Sequence, residues 1–310
     1  MEKNRKRKRA LVLSGGGSMG AWAGGVIQHL IEDLEKDYDI FIGTSTGSLL
    51  APLTSIREIE ILKEGYTNIR NQDIFNISPF TKKGKPNLFR MLLRAVMLKK
   101  TFGESKTLRE TIKRYFKEEH FERLKRKEKE VIAVVANLTD EKMEYKSSLN
   151  PDMTYEDFVD WLWASCNAEM YTSILEKNGN EYADGAIYQD IPIQIAIDND
   201  ATDIDVIVLS PEGFGVVKRT KVSNVIHYYH KTLRMMQARI SKYNLMNLNS
   251  RGRDINIRVY YTPYRLTENS LVFDKDEMLK WWEEGYISAE KGDFKHYRLT
   301  KSNHLKEVDD

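Results

Sequence analysis

With 310 residues, 41% of them hydrophobic and 30% charged, the chain has enough apolar material to bury a core and is too balanced for a disordered polymer. Its 48 lysines and arginines nearly cancel 46 acids, leaving a net charge of +2, so bulk electrostatics marks neither a nucleic-acid binder nor a scavenger of acidic substrates. The single cysteine, Cys166, excludes an internal disulfide and a cysteine-based zinc finger, and suits a reducing compartment. Residues 1–8 read as a basic tail carrying Lys3, Arg5, Lys6, Arg7 and Lys8. The apolar stretch that follows, 10–13, stops at Ser14 and three glycines, far short of the roughly 7 to 15 residues of a signal-peptide core. No stretch approaches the roughly 20 apolar residues of a membrane span, since 88–98 is broken by Arg90 and Arg94. A cytoplasmic protein is expected, soluble or in peripheral contact with a membrane.

In chain order, 10–13 is a short buried-type strand, 21–34 has helical spacing, 40–42 is a second strand, Gly43 to Gly47 make a turn and 48–56 is a helix. This strand–turn–helix rhythm, met twice, predicts an α/β fold with a mainly parallel central sheet. Residues 68–129 read as a helical, basic insertion over one end of that sheet. Further strands are expected at 131–136, 144–147, 181–183, 204–209 and 255–261, with helices at 222–247 and 275–284. The pattern predicts one domain over 9–291 and a C-terminal tail over 292–310.

Two glycine-rich turns carry the chemistry. Gly15, Gly16 and Gly17, followed by Ser18, Met19 and Gly20, lie between a strand and a helix. Gly15, Gly17 and Gly20 fit a dinucleotide fingerprint, but the second strand ends in Gly43-Thr44-Ser45-Thr46-Gly47 instead of the acid that would hold a ribose. That second turn is G-x-S-x-G. Its flanking Gly43 and Gly47 give Ser45 room to project from a sharp strand-to-helix turn, although a glycine-rich turn with Ser45 as a helix cap fits the same letters. Both turns belong at the C-terminal edge of a parallel sheet, where backbone N–H groups of the first could hold an oxyanion formed beside Ser45. A base for Ser45 comes either from Asp184 directly or from a Ser–Asp–His order through His227 or His230. The early position of the serine, after only the second strand, disfavours the second scheme.

Taken together, the Gly15–Gly20 loop, the Gly43–Gly47 elbow and the later Asp184-Gly185-Ala186, in that order, resemble the patatin-like phospholipase family. The resemblance extends through 107–116, Ala164 and Ser165, Ile191 and Pro192, and Gly285 and Tyr286. It implies a three-layer α/β/α fold, with Ser45 as nucleophile, Asp184 as general base and Gly15, Gly16 and Gly17 as oxyanion loop. It also implies an acyl-enzyme mechanism on glycerophospholipids or related acyl esters, with no metal and no cofactor. This chain departs from the family at Met19, where Arg or Lys is usual, at Glu169, where proline is usual, and at Asp190 and Ile191, where an Asn is common. A lipid-binding module of the same fold without turnover is the alternative. Nucleic acid is not expected as a partner.

Residues 74–103 contain no Asp or Glu but hold Lys82, Lys83, Lys85, Arg90, Arg94, Lys99 and Lys100 among Leu88, Phe89, Leu92, Leu93, Val96 and Leu98. On a helix, Arg90 and Arg94 are i,i+4 neighbours beside a wide apolar surface. Two orientations are open. The apolar side packs into the core with the arginines outside, or it forms an interfacial segment facing an anionic membrane.

Overall fold

The structure, a computed structural model, describes residues 7–81, 84–214 and 221–308. Lys3, Arg5, Lys6, Lys82 and Lys83 lie outside these residues. Ten strands form one sheet: β1 (Lys8–Leu13), β2 (Ile40–Thr44), β3 (Glu130–Asn137), β4 (Lys142–Ser147), β5 (Leu175–Lys177), β6 (Asn180–Asp184), β7 (Ala201–Val208), β8 (Ile255–Tyr261), β9 (Lys295–Leu299) and β10 (Leu305–Val308). Their order is β10-β9-β8-β7-β1-β2-β3-β6-β5, with β4 also paired to β3. The central run β8-β7-β1-β2-β3 is parallel and the outer pairings are antiparallel.

The helices are α1 (Gly20–Gln28), α2 (Thr46–Ser55), α3 (Ile59–Asn68), α4 (Asn71–Ile74), α5 (Leu88–Val96), α6 (Lys106–Tyr115), α7 (Glu118–Arg126), α8 (Tyr155–Ser165), α9 (Ile193–Asp198), α10 (Val225–Met246) and α11 (Lys275–Glu290). Successive residues of a strand face opposite ways, so Leu11 and Leu13 of β1 join one core with Trp22, Leu50, Phe158 and Trp282, while Ala10 and Val12 join the other with Ile193 and Ile197. Covering both faces explains why the parallel strands are continuous apolar runs. The result is the expected three-layer α/β/α arrangement. Among the described residues no helix is long and apolar enough to cross a membrane.

Several details differ from the sequence expectation. Residues 292–310, expected as a tail, carry β9 and β10, which extend the sheet beyond β8, with Leu299 buried and Phe294 packed on Tyr260. Lys8, assigned to the basic tail, already begins β1. Residues 68–129 hold α4 to α7, and only part of this region stands off the body. The buried α6 and α7 side chains Leu108, Ile112, Phe121 and Leu124 belong to the main core. Helix α5 takes the outward apolar orientation: of its residues only Met91 and Arg94 are buried.

Candidate active site

The sheet register brings the two key side chains together. Thr44 ends β2 opposite Val134 of β3, and Asp184 ends β6 opposite Val135. Because β4 occupies the other edge of β3 from Ile132 to Asn137, β2 and β6 must share one edge, running towards each other and meeting there. Ser45 follows Thr44 immediately, and its side chain lies close enough to the Asp184 carboxyl to favour that group's charged form.

Ser45 stands at φ 54° and ψ −128°, a left-handed backbone that costs a non-glycine residue about 1–3 kcal/mol unless its surroundings impose it. They do. The Ser165 Oγ accepts the Ser45 N–H at 3.0 Å and itself donates to Val134 O at 2.7 Å. On the other side, the Ser48 N–H and Oγ–H both donate to Ser45 O, at 2.9 and 2.7 Å. The elbow is too tight for side chains on its glycines: a Cβ on Gly43 would stand 2.2 Å from the Gly47 carbonyl carbon, and one on Gly47 2.4 Å from Leu13 O.

Asp184 is buried and accepts the Ala186 N–H at 2.9 Å, while its own N–H donates to Asn167 O at 3.1 Å. Burial raises its carboxyl well above the ordinary range, and the nearby charges of Glu169 and, less strongly, Asp190 push the same way. The Ser45 side chain and the Ala186 N–H oppose them. Glu169 is itself raised by burial, and one of its carboxyl oxygens is buried without a hydrogen-bond partner.

The glycine loop lies against the elbow, since a Cβ on Gly15 would come within 3.1 Å of the Ser45 Cβ. The Gly15 N–H donates to the Asp190 carboxylate at 2.9 Å, so that donor is committed within the protein. Burial pushes the Asp190 carboxyl up to about 6, against the hydrogen bonds from Gly15 and Ser241. Gly17, at φ 55°, presses on the 268–273 segment: a Cβ there would lie 2.2 Å from Ser270 O, which accepts the Ser18 N–H at 2.8 Å. Met19, where the sequence lacks a basic residue, packs on the main core.

Gly17 and Ser45 line an apolar cavity enclosing about 870 Å³ of empty space, part of it open to solvent. Leu49 and Leu53 of α2, Leu108 and Ile112 of α6, and Leu162 of α8 form much of its wall. Cys166 also lines it, 3.8 Å from the Ser48 Oγ, and burial raises its thiol well above the ordinary value, which keeps it neutral.

The matching family profile, patatin-like phospholipase, covers residues 11–197, a span that includes the glycine loop, the elbow and Asp184. The chain belongs to the patatin-like phospholipase family. Membership places it among the lipid acyl hydrolases. The crystal structure of VipD from Legionella pneumophila superposes over 100% of this chain and 73% of its own, at a TM-score of 0.50 and 14% identity, a likeness of fold. A comparison with curated proteins gives no match.

Within this patatin-like fold one histidine of the alternative triad is engaged by a residue outside the site. His227 contacts the Ser223 Oγ through Nδ1 at 3.0 Å near the start of α10, and the side chain of His230 lies outside the described residues. Ser165, Asp190 and Glu169 emerge as the supporting shell of Ser45 and Asp184. In the sequence, Ser165 is marked only as part of the family resemblance, with no role attached, and the other two stand out only as departures from the family pattern. Among the described residues no group of three or more His, Cys, Asp or Glu side chains is placed to hold a metal ion.

Proposed function

We propose that the chain is a serine lipid acyl hydrolase of phospholipase A or lysophospholipase type, cleaving acyl esters of glycerophospholipids through a Ser45–Asp184 dyad. One observation carries this reading: Ser45, held in a left-handed backbone beside the buried Asp184 carboxyl, lines an apolar cavity suited to an acyl chain.

In this reading the Asp184 carboxylate takes the Ser45 hydroxyl proton while Oγ attacks the ester carbonyl carbon, and the carbonyl electrons move to oxygen. The N–H groups of Gly16 and Gly17 hold the oxyanion, helped by the positive end of α2, while the Gly15 N–H holds the loop in place through Asp190. Collapse of the adduct breaks the ester C–O bond, and Asp184 returns the proton to the departing alcohol. Water, deprotonated by Asp184, then attacks acyl-Ser45; the fatty acid leaves and Ser45 regains its proton. An Asp of ordinary pKa, about 3.9, would be a feeble base near neutrality, so the upward push from burial and Glu169 suits the role. A Ser–Asp–His route has less support. His29, His120 and His304 contact Asp33, Lys117 and Ser302, and His227 contacts Ser223.

Fluorophosphonate labelling tests the nucleophile, with label expected on the wild type and none on Ser45→Ala. Asp184→Asn is expected to lower fatty-acid release from glycerophospholipids by about 100-fold or more, whereas single His→Ala variants keep at least about a tenth of it. A folded wild type that takes no label and releases no fatty acid would establish a lipid-binding module without turnover. A folded but inactive His227→Ala would restore the triad.

A further inference from the structure

Helix α5 is turned inside out relative to an ordinary surface helix. Leu98 at its end is 90% exposed, Phe89 78% and Val96 73%, with Leu88, Leu92, Leu93 and Met97 also exposed. The inward side holds a charge instead. Arg94 is buried, donating from Nε to Thr101 O at 2.8 Å and pairing with Glu104 at 3.1 Å, while Arg90 donates to Ser78 O at 2.6 Å. These polar bonds fix the rotation of the helix, so its apolar stripe cannot turn inward without leaving the Arg94 guanidinium unpaired. Seven exposed apolar residues within positions 88–98 exceed the scattered exposure ordinary for a soluble surface.

A second helix adds to this surface. α10 contains no Asp or Glu, carries Lys231, Arg234, Arg239 and Lys242, and exposes Val225, Tyr228, Met235, Met236, Tyr243 and Met246. Both helices connect to the site through the 268–273 segment, whose Leu271 and Phe273 line the Ser45 cavity. Asn269 donates to Gly84 O at 3.2 Å in the loop before α5, Glu268 pairs with Arg234 of α10 at 3.3 Å, and Ser270 accepts from the glycine loop. Farther along α10, Ser241 donates to Asp190 at 3.4 Å.

We propose that α5 and the exposed side of α10 form a docking surface for an anionic lipid bilayer, seating the mouth of the Ser45 cavity at the membrane. Charge selects this occupant. From Ile74 to Gly103 there is no acid, Lys85, Arg90 and Lys99 are exposed, and α10 adds Arg239 and Lys242 on the same acid-free background. An apolar stripe with cationic flanks matches acyl chains beneath anionic headgroups, whereas a second copy of the chain would bring like charges together. The proposal rests on the lipid hydrolase reading only for its purpose, because docking itself needs no turnover.

The experiment is sedimentation of full-length Ser45→Ala with vesicles of phosphatidylcholine alone or with phosphatidylglycerol. Binding is expected on the anionic vesicles at low salt, with weaker binding on neutral ones and in high salt. Phe89→Ser, Leu92→Ser and Leu93→Ser combined should weaken it at least about tenfold, and Arg239→Gln or Lys242→Gln about fivefold per charge at low salt. All of these residues are exposed, so thermal melting should be unchanged, and Leu34→Ser, at an exposed leucine on another surface, should bind like the parent. Binding indifferent to lipid charge and to the α5 changes overturns the proposal. So does wild-type self-association that the triple variant abolishes while vesicles go unbound, which would assign the surface to a second copy. Vesicle binding by a wild type that releases no fatty acid would sink the hydrolase reading and leave the docking surface standing, and turnover of a soluble ester without vesicle binding would do the reverse.

Discussion

Glu169 places a second buried carboxyl near Asp184, and its charge is the largest contribution after burial to the raised Asp184 pKa. Removing that charge lowers the proton affinity of Asp184, so in Glu169→Gln the acidic limb of kcat/KM on a soluble ester should move to lower pH. Superimposed limbs for the two proteins would mean that Glu169 does not act on Asp184. Asp190 offers a stability test. Its folded carboxyl is raised from 3.8 to about 6, so the fold favours the protonated form, and stability is lost as pH rises from the unfolded value through about 6. The penalty above that window is up to about 3 kcal/mol. Asp190→Asn retains an acceptor for Gly15 and carries no charge. It should therefore melt higher than wild type at pH 8 and much like it at pH 4, and a gap independent of pH would contradict the assignment.

Two close approaches between elements depend on glycine. The elbow requires Gly43 and Gly47, and the packing of α1 on α11 requires Gly25 and Gly285. A Cβ on Gly25 would lie 1.9 Å from Trp282 O, and one on Gly285 2.0 Å from Trp22 O. Both obstacles are backbone, so neither can rotate away. Gly285→Ala should cost about 1–3 kcal/mol of stability, read in denaturant melts, while leaving the kcat/KM pH profile in place. A neutral effect would mean that the two helices can part at little cost. Between β7 and β8, burial raises the Asp205 carboxyl, yet the Arg258 and Lys36 charges and hydrogen bonds outweigh it and hold the group below its ordinary value. Its oxygens accept from Tyr38 at 2.6 Å, Lys36 at 2.9 Å and Arg258 at 2.6 Å. This cluster ties the loop before β2 to the far strands.

Across the whole molecule the sheet continues to β10, with functional and structural ends on the same chain of hydrogen bonds. Truncation after Lys291 would strip β9 from β8, take Leu299 out of the core it shares with Ile255 and Ile257, and remove Phe294 from Tyr260. The shortened protein should melt well below full length or aggregate through the bared β8 edge, as circular dichroism and light scattering would report. A truncation that melts with the parent would make 292–310 dispensable to the fold. These strands were hidden in the sequence because Lys295–Leu299 and Leu305–Val308 are short and charged, and their apolar residues are too few to show a period.

The amino-acid sequence by itself determined the parallel core, through apolar runs interrupted by helical periods, and it marked the elbow, the glycine loop and Asp184. Those signals are local: a serine that must project needs small neighbours within two residues, and a buried parallel strand needs apolar side chains on both faces. Tertiary structure alone decided what surrounds them. The reversal of β6 against β3 carries Asp184 to the end of β2, and nothing within either segment specifies that pairing. Likewise Asp190 reaches Gly15 across 175 residues of chain, Ser165 reaches Ser45 across 120, and Glu169 gains its influence only by being buried beside another carboxyl. The rotation of α5 was undecidable from its letters because a helix with one apolar and one basic side can present either to solvent. Glu104, closing on Arg94 from outside the helix, chose which.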